Sequence, residues 1–260
     1  MSFKPLVLIP SYNTGADLLR RTLLDALQAC DAPALVVIDG SSDGSEREAQ
    51  ELAERFPERL RVLLKPRNEG KGAAVRSGLL HVKNEGFSHA LVMDADGQHP
   101  ADRIDDFFAA ARKAPEAMIL GQPVFDASVP LERLHGRKLS VWLVQFEVAG
   151  RAIGDPLFGF RVYPVEPLLR VMEPKGRSNR YDFDPEVAVR LNWLGVPSVK
   201  IDARVNYLDK SSGGVSHFHY VRDNIRFVRL HTRLALEAPF RWMTRGKTAP
   251  HLATAEGKVL

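Results

Sequence analysis

Four short apolar runs punctuate the first hundred residues: Pro5–Ile9, Leu35–Ile38, Leu60–Leu64 and Leu91–Met93. Each is continuous rather than alternating, the pattern of a parallel strand buried on both faces. Each is followed by polar, Gly-containing residues and then by helical periodicity, which predicts helices over Asp17–Cys30, Ser45–Phe56, Lys71–Asn84 and Asp102–Lys113. Leu23, Leu24 and Leu27 give the first of these a core face, and Asp43 and Ser45 are both candidate caps for the second. Further along, Ala117–Leu120, Gly159–Tyr163 and Val199–Ile201 read as strands, and Leu134–Ile153 and Pro185–Leu194 as helices. Gln122–Glu132 is polar, Pro-containing and irregular, the composition of a loop over a site. Strands alternating with helices predict an α/β fold with a mostly parallel central sheet flanked by helices.

In such a sheet, ligands bind beyond the carboxyl ends of the strands. The polar clusters at these ends therefore belong to one site. The first is Pro10-Ser11-Tyr12-Asn13, the second Asp39-Gly-Ser-Ser-Asp-Gly-Ser45, the third Asn68-Glu-Gly70-Lys71-Gly72, and the fourth Asp94-Ala-Asp96-Gly-Gln98-His99. Asp94 and Asp96 fall on the same side of an extended chain. Two unpaired carboxylates are too costly to bury inside a strand. At its exit they suit Mg2+ or Mn2+, which take hard oxygen ligands and share them with substrate phosphates. The bland reading of Asp-x-Asp alone is a solvated turn. Gly70 and Gly72 permit close backbone approach, and Lys71 at a helix start favours an anion, although the spacing is not that of a Walker loop. Tyr12 can stack on or flank a base. Asp43 is as well explained by a turn or cap as by ligand contact.

In this order the motifs resemble family 2 glycosyltransferases with the GT-A nucleotide-diphospho-sugar transferase fold. The nearest group is the dolichol- and polyprenyl-phosphate sugar transferases. The resemblance is dense from Leu6 to about Arg161 and looser to Ser216. It implies an inverting transfer of a sugar from a nucleoside-diphosphate sugar to an acceptor that is a lipid or lipid-linked phosphate. It further implies that Asp94, Asp96 and Gln98 hold the metal. Pro10, Tyr12, Asp39, Lys71 and Asp94 would contact the donor, with His217, in the basic Gly-containing loop Lys210–His219, touching diphosphate or metal. Asp155 and Arg161, in Asp-Pro-Leu-Phe-Gly-Phe-Arg, are the implied catalytic pair on the acceptor side: Asp155 as base or orienting group, Arg161 as a phosphate ligand or a lock on the acidic cluster. The chain departs from the family at Ile38, where an aspartate usually precedes Asp39, and at Thr14, where Glu is common. Two other classes stay open. A sugar-phosphate nucleotidyltransferase would open with a Gly-rich, Arg-containing loop in place of Pro10–Thr14. An inactive nucleotide-sugar-binding protein would not need the intact acidic set.

Bulk properties change this picture little. The 260 residues suffice for one sizeable core, and the formal net charge of +4 permits anionic ligands without implying nucleic acid. Cys30 is the single cysteine, so no internal disulfide forms. No leader and no run of about 20 apolar residues is visible, which predicts a cytoplasmic location, peripheral at the inner membrane face. We expect a catalytic domain over 1–219, an amphipathic helical extension over 220–243 and a loosely ordered tail over 244–260. In the extension, Arg222, Arg226, Arg229 and Arg233 form a stripe beside Val221, Ile225, Val228, Ala235 and Leu236, with Phe227, Leu230 and Leu234 on its far side. Such a helix either lies in an anionic membrane interface or packs on the catalytic domain with a solvated arginine edge.

Overall fold

The computed structural model describes residues 2–125, 131–150, 152–173, 178–206 and 220–244. Seven strands form one mixed sheet: β1 (Pro5–Ser11), β2 (Ala34–Asp39), β3 (Leu60–Lys65), β4 (His89–Val92), β5 (Met118–Val124), β6 (Arg161–Pro164) and β7 (Ser198–Arg204). The helices are α1 (Ala16–Ala29), α2 (Ser45–Arg55), α3 (Lys71–His81), α4 (Ile104–Lys113), α5 (Leu131–Glu147), α6 (Val165–Met172), α7 (Phe183–Trp193) and α8 (Tyr220–Thr244). The strand order is β3-β2-β1-β4-β6-β5-β7.

The continuous apolar runs produce a sheet buried on both faces. Leu6, Leu8, Leu35 and Val37 pack with residues of α3, α6, α7 and α8. Their alternates Val7, Ile9, Val36 and Ile38 pack with α1, α2 and α4 on the other face. Pairing is parallel for β1 with β2, β2 with β3, β1 with β4 and β5 with β7, and antiparallel for β6 against both β4 and β5. The reversal of β6 positions the site. Val92 lies opposite Arg161, and Leu120 lies opposite Arg161 from the other side. The segment leading into β6 therefore reaches the sheet edge where β1, β2 and β4 end.

Three elements differ from expectation. The helix predicted to reach Ile153 stops at Glu147, because Ala149 turns to a positive φ of 51° and Gly150 N–H closes back on Gln145 O at 2.9 Å. A short helix, α6, carries Pro167 and lacks a long apolar period, so nothing in the sequence pattern announced it. Gln122–Glu132, expected as an irregular loop, instead belongs to β5 as far as Val124 and to α5 from Leu131. Only Thr244 of the expected tail is described, and His217 with the whole of 210–219 lies outside the described residues.

Candidate active site at the strand ends

The loops after β1, β2, β3 and β4 converge on a cavity of about 430 Å³. Its wall includes Pro10, Tyr12, Asn13, Asp39, Lys71, Asp94 and Asp96, together with Arg180, Tyr181, Arg222 and Arg226. Five of the residues expected to contact donor thus share one wall. Of the four from the C-terminal part of the chain, Arg180 and Tyr181 belong to the segment 180–186, which the family resemblance places on the acceptor side, whereas Arg222 and Arg226 are additions to the site.

The loops are tied to each other before any ligand arrives. Asn13 Oδ1 accepts from Ser42 N–H at 2.8 Å, and Asn13 N–H donates to Ser41 Oγ at 3.0 Å. Asp43 accepts from Gly15 N–H at 2.6 Å and also from the backbone and hydroxyl of Ser45. Its burial opposes charge, yet these donors hold its pKa below the ordinary carboxylate value. Asp43 therefore joins the starts of α1 and α2.

Asp39 ends β2 as expected, but its oxygens are already occupied. They accept from Lys65 Nζ at 2.6 Å, from Glu69 N–H at 3.2 and 3.1 Å, and from Gly70 N–H at 2.7 Å. The side chain is a brace for the loop after β3. Gly70, at φ 102°, makes this turn possible: a Cβ there would stand 2.3 Å from Asn179 O.

Gly70 and Lys71 line the cavity, as a phosphate turn would, but the polar groups of this turn already have partners within the protein. The first amides of α3 are capped by the protein itself, with Gly72 N–H donating to Asn179 O at 2.8 Å and Ala73 N–H to the same oxygen at 3.4 Å. Lys71 is buried and bridges two carboxylates, Asp94 Oδ1 at 2.6 Å and Asp184 Oδ2 at 2.7 Å. Burial alone would lower its pKa, but Asp184 and Asp94 reverse this and hold it protonated. Its job in this arrangement is to neutralise carboxylates.

Asp94 and Asp96 stand just past β4. Burial works against the charge of Asp94, and Lys71 outweighs it, so its pKa is lowered. Asp96 has the opposite balance: burial, followed by the charge of Asp94, pushes it up to about 7. Oδ1 of Asp184 is buried without a hydrogen-bond partner among the described residues. Asp94 and Asp184 thus share one ammonium, and the Asp96 carboxyl stands within reach of the Asp94 charge. Arg161, whose charge also acts on Asp94, donates to the carbonyls of Phe158, Asp184, Asp155 and Pro156 and to the Tyr163 hydroxyl. A cluster short of positive charge, with two hard oxygen donors on a cavity wall, fits a divalent cation whose remaining ligands are phosphate and water.

Gln98 does not join this pair. Its side chain is absent from the cavity wall, while its N–H donates to Asp96 Oδ1 at 3.0 Å and its carbonyl accepts from Asn206 N–H at 2.9 Å. Among the described residues no third His, Cys, Asp or Glu gathers with two others into a metal cage. His99 is a positioning residue: its Nδ1 accepts from Asp94 N–H at 2.8 Å, and burial lowers its pKa to about 4, so the ring is neutral.

The expected catalytic pair is also placed differently. Neither Asp155 nor Arg161 lines the cavity. Asp155 accepts from Arg137 Nε at 2.7 Å and from Leu157 N–H at 2.8 Å. Arg161 is fully buried, and its guanidinium fastens the 155–158 turn to α7 rather than facing an acceptor. Within the segment 180–186, Tyr181 is not singled out by the sequence. It lines the cavity, and burial, then Asp94, raises its phenol to about 12, keeping it a hydrogen-bond donor. Arg222 and Arg226 are expected from the sequence as part of a lipid-facing or solvated stripe; their spacing of four residues on a helix after a Gly-containing stretch also suits an anion.

The family model for glycosyl transferase family 2 matches residues 6–168, more than half of the chain. The dolichyl-phosphate beta-glucosyltransferase ALG5A of Trichomonas vaginalis is 28% identical over 192 residues, covering 70% of this chain and 56% of its own length. The polyprenol monophosphomannose synthase of Mycolicibacterium smegmatis is 30% identical over 197 residues, covering 74% and 72%. The chain spans about half the length of the Trichomonas enzymes it matches. Among solved structures, glucosyl-3-phosphoglycerate synthase from Mycobacterium tuberculosis, in complex with Mn2+, UDP and glucosyl-3-phosphoglycerate, gives a TM-score of 0.60 at 15% identity, covering 94% of this chain and 80% of that one. Mannosyltransferase PcManGT from Pyrobaculum calidifontis, in complex with GDP-Man and Mn2+, gives 0.57 at 20% identity, covering 95% and 66%. These likenesses show the GT-A fold.

Proposed function

Because the chain belongs to glycosyl transferase family 2, we propose that it is a metal-dependent, inverting glycosyltransferase moving a sugar from a nucleoside-diphosphate sugar to a lipid phosphate. The observation that carries this reading is the pair Asp94 and Asp96 in the lining of a cavity that Arg180, Tyr181, Arg222 and Arg226 also line. Two anionic groups must meet in such a reaction, the donor diphosphate and the acceptor phosphate, and this lining has the cations to receive them. Mg2+ or Mn2+ held by Asp94 and Asp96 would supply charge neutralisation of the departing diphosphate. Pro10, Tyr12 and Asn13 form the side of the cavity assigned to the nucleoside, with Asp39 fixing the neighbouring loop. His217 keeps its assignment to the diphosphate from its sequence motif alone.

The acceptor oxygen attacks the anomeric carbon as the sugar–phosphate bond breaks, and the nucleoside diphosphate leaves. A phosphate acceptor is already ionised, so no general base is required. Asp155 and Arg161 then act by shaping the turn before β6. Such an acceptor is held in a membrane, which brings the protein to a membrane surface. Among the described residues no helix is long and apolar enough to cross one.

A thermal-shift screen of nucleotide sugars with and without Mn2+ tests the reading. One UDP- or GDP-sugar is expected to stabilise the protein only with metal, by about 2.7 kcal/mol at a hundredfold excess over Kd. Stabilisation instead by a nucleoside triphosphate, with pyrophosphate release from a sugar phosphate mixture, would establish a nucleotidyltransferase.

A further inference from the structure

Helix α8 is apolar on two opposite faces, and only one of them is used within the protein. Leu230, Leu234 and Ala238 are buried in the core. The other face turns Val228, Leu236 and Met243 outward, with Val228 67% and Leu236 78% exposed. Helix α5, packed beside it, does the same with Leu139, Trp142 and Phe146, and Trp142 is 62% exposed. The two rows meet at an edge-to-face contact between Phe146 and Trp242, with ring centroids 5.3 Å apart. Together they make one apolar surface broader than scattered exposed side chains would give.

The exposed charges that α5 and α8 carry around this surface are mostly basic. Lys138, Arg222 and Arg229 are exposed. Over residues 137–147 and 222–243 the acids are Glu147, Asp223 and Glu237; the first two are buried, and Glu237 pairs with Arg190 at 2.9 Å. A soluble protein partner would ordinarily meet charges of both signs. An apolar centre with a predominantly basic rim is complementary to an anionic lipid leaflet. The same helix contributes Arg222 and Arg226 to the cavity wall. The surface and the site therefore share a border.

We infer that α5 and α8 together form a membrane-docking face for an anionic bilayer, inserting Trp142, Val228 and Leu236 and setting the cavity mouth at the level of lipid phosphates. This deepens the proposed function, on whose membrane-held acceptor it rests. It also combines the two alternatives the sequence leaves for α8, which packs on the catalytic domain through one face and offers the other to lipid together with α5.

Cosedimentation of the full chain with phosphatidylcholine vesicles, with and without phosphatidylglycerol, tests it in the absence of nucleotide, metal and acceptor. Binding is expected with the anionic lipid and should weaken as salt rises. Val228→Glu and Leu236→Glu should each reduce partitioning by roughly tenfold, the loss expected from withdrawing one aliphatic side chain. Both positions are exposed, so their melting temperatures should match the wild type. Transfer to a short-chain, water-soluble lipid phosphate should be unchanged in these variants, while transfer to a long-chain acceptor in vesicles falls. Vesicle binding without transfer to any lipid phosphate would overturn the acceptor assignment and leave the docking face standing. Absent binding, or a wild-type dimer that Leu236→Glu converts to monomer, would overturn the docking face and identify a second copy as its occupant.

Discussion

Asp96→Ala is expected to lower kcat by on the order of a thousandfold while leaving the protein folded, equivalent to about 4 kcal/mol of transition-state stabilisation. The departing diphosphate gathers negative charge, and Asp96 is half of the proposed cation site. Its surroundings without metal make a second readout possible. Burial and the charge of Asp94 raise its pKa to about 7, whereas an unfolded aspartate titrates near 4. Between these values the folded state binds a proton that the unfolded state lacks. The stabilisation from this group is therefore complete below about pH 4 and is lost as pH rises through 7. Metal-free wild type should show this loss in chemical denaturation, and Asp96→Ala should not. Mn2+ affinity should rise over the same interval, since the cation displaces the proton. Full activity of Asp96→Ala in excess chelator would falsify the metal-assisted mechanism.

The second large effect is on stability. Lys71→Met should cost about 3–5 kcal/mol in urea denaturation, the typical result of removing one partner from a buried ion pair. The ammonium bridges Asp94 at 2.6 Å and Asp184 at 2.7 Å and has little solvent access, so no water compensates for its loss. Lys71→Met combined with Asp184→Asn should cost less than the sum of the two single changes, because the second removes a charge stranded by the first. Saturating Mn2+ should restore part of the stability by giving Asp94 a new counter-charge. Additive costs, or a Lys71→Met variant as stable as wild type, would mean that the bridge contributes nothing to the fold.

The strand ends were legible because continuous apolar runs have few alternatives: a buried parallel strand must stop where carboxylates begin. That logic located Asp94, Asp96 and Tyr12 on one cavity wall. It could not foresee what occupies each group. Gly70-Lys71-Gly72 has the composition of an anion turn, and only the arrival of Asn179 and Asp184 from more than a hundred residues away turns it into an internal contact. Arg161 illustrates the same limit. A guanidinium beside an aspartate suggests ligand binding in sequence, yet it meets five oxygens of its own chain once β6 is in place. Arg222 and Arg226 failed differently, since an arginine stripe beside apolar residues describes a lipid interface and a cavity wall equally well.

The reversed strand at the centre of the sheet also imposes an order of assembly during synthesis. β4 carries Asp94 and Asp96 at its end, and one of its edges pairs with β1. Its other edge pairs with β6, which is made some seventy residues later. Until residues 161–164 leave the ribosome, the nascent chain holds an unpaired, apolar β4 edge, a template for pairing with other chains. Truncations ending between β4 and β6 should therefore aggregate. The shortest soluble product should be one that already contains Arg161–Pro164, and the acidic strand end should acquire its final surroundings only at that length.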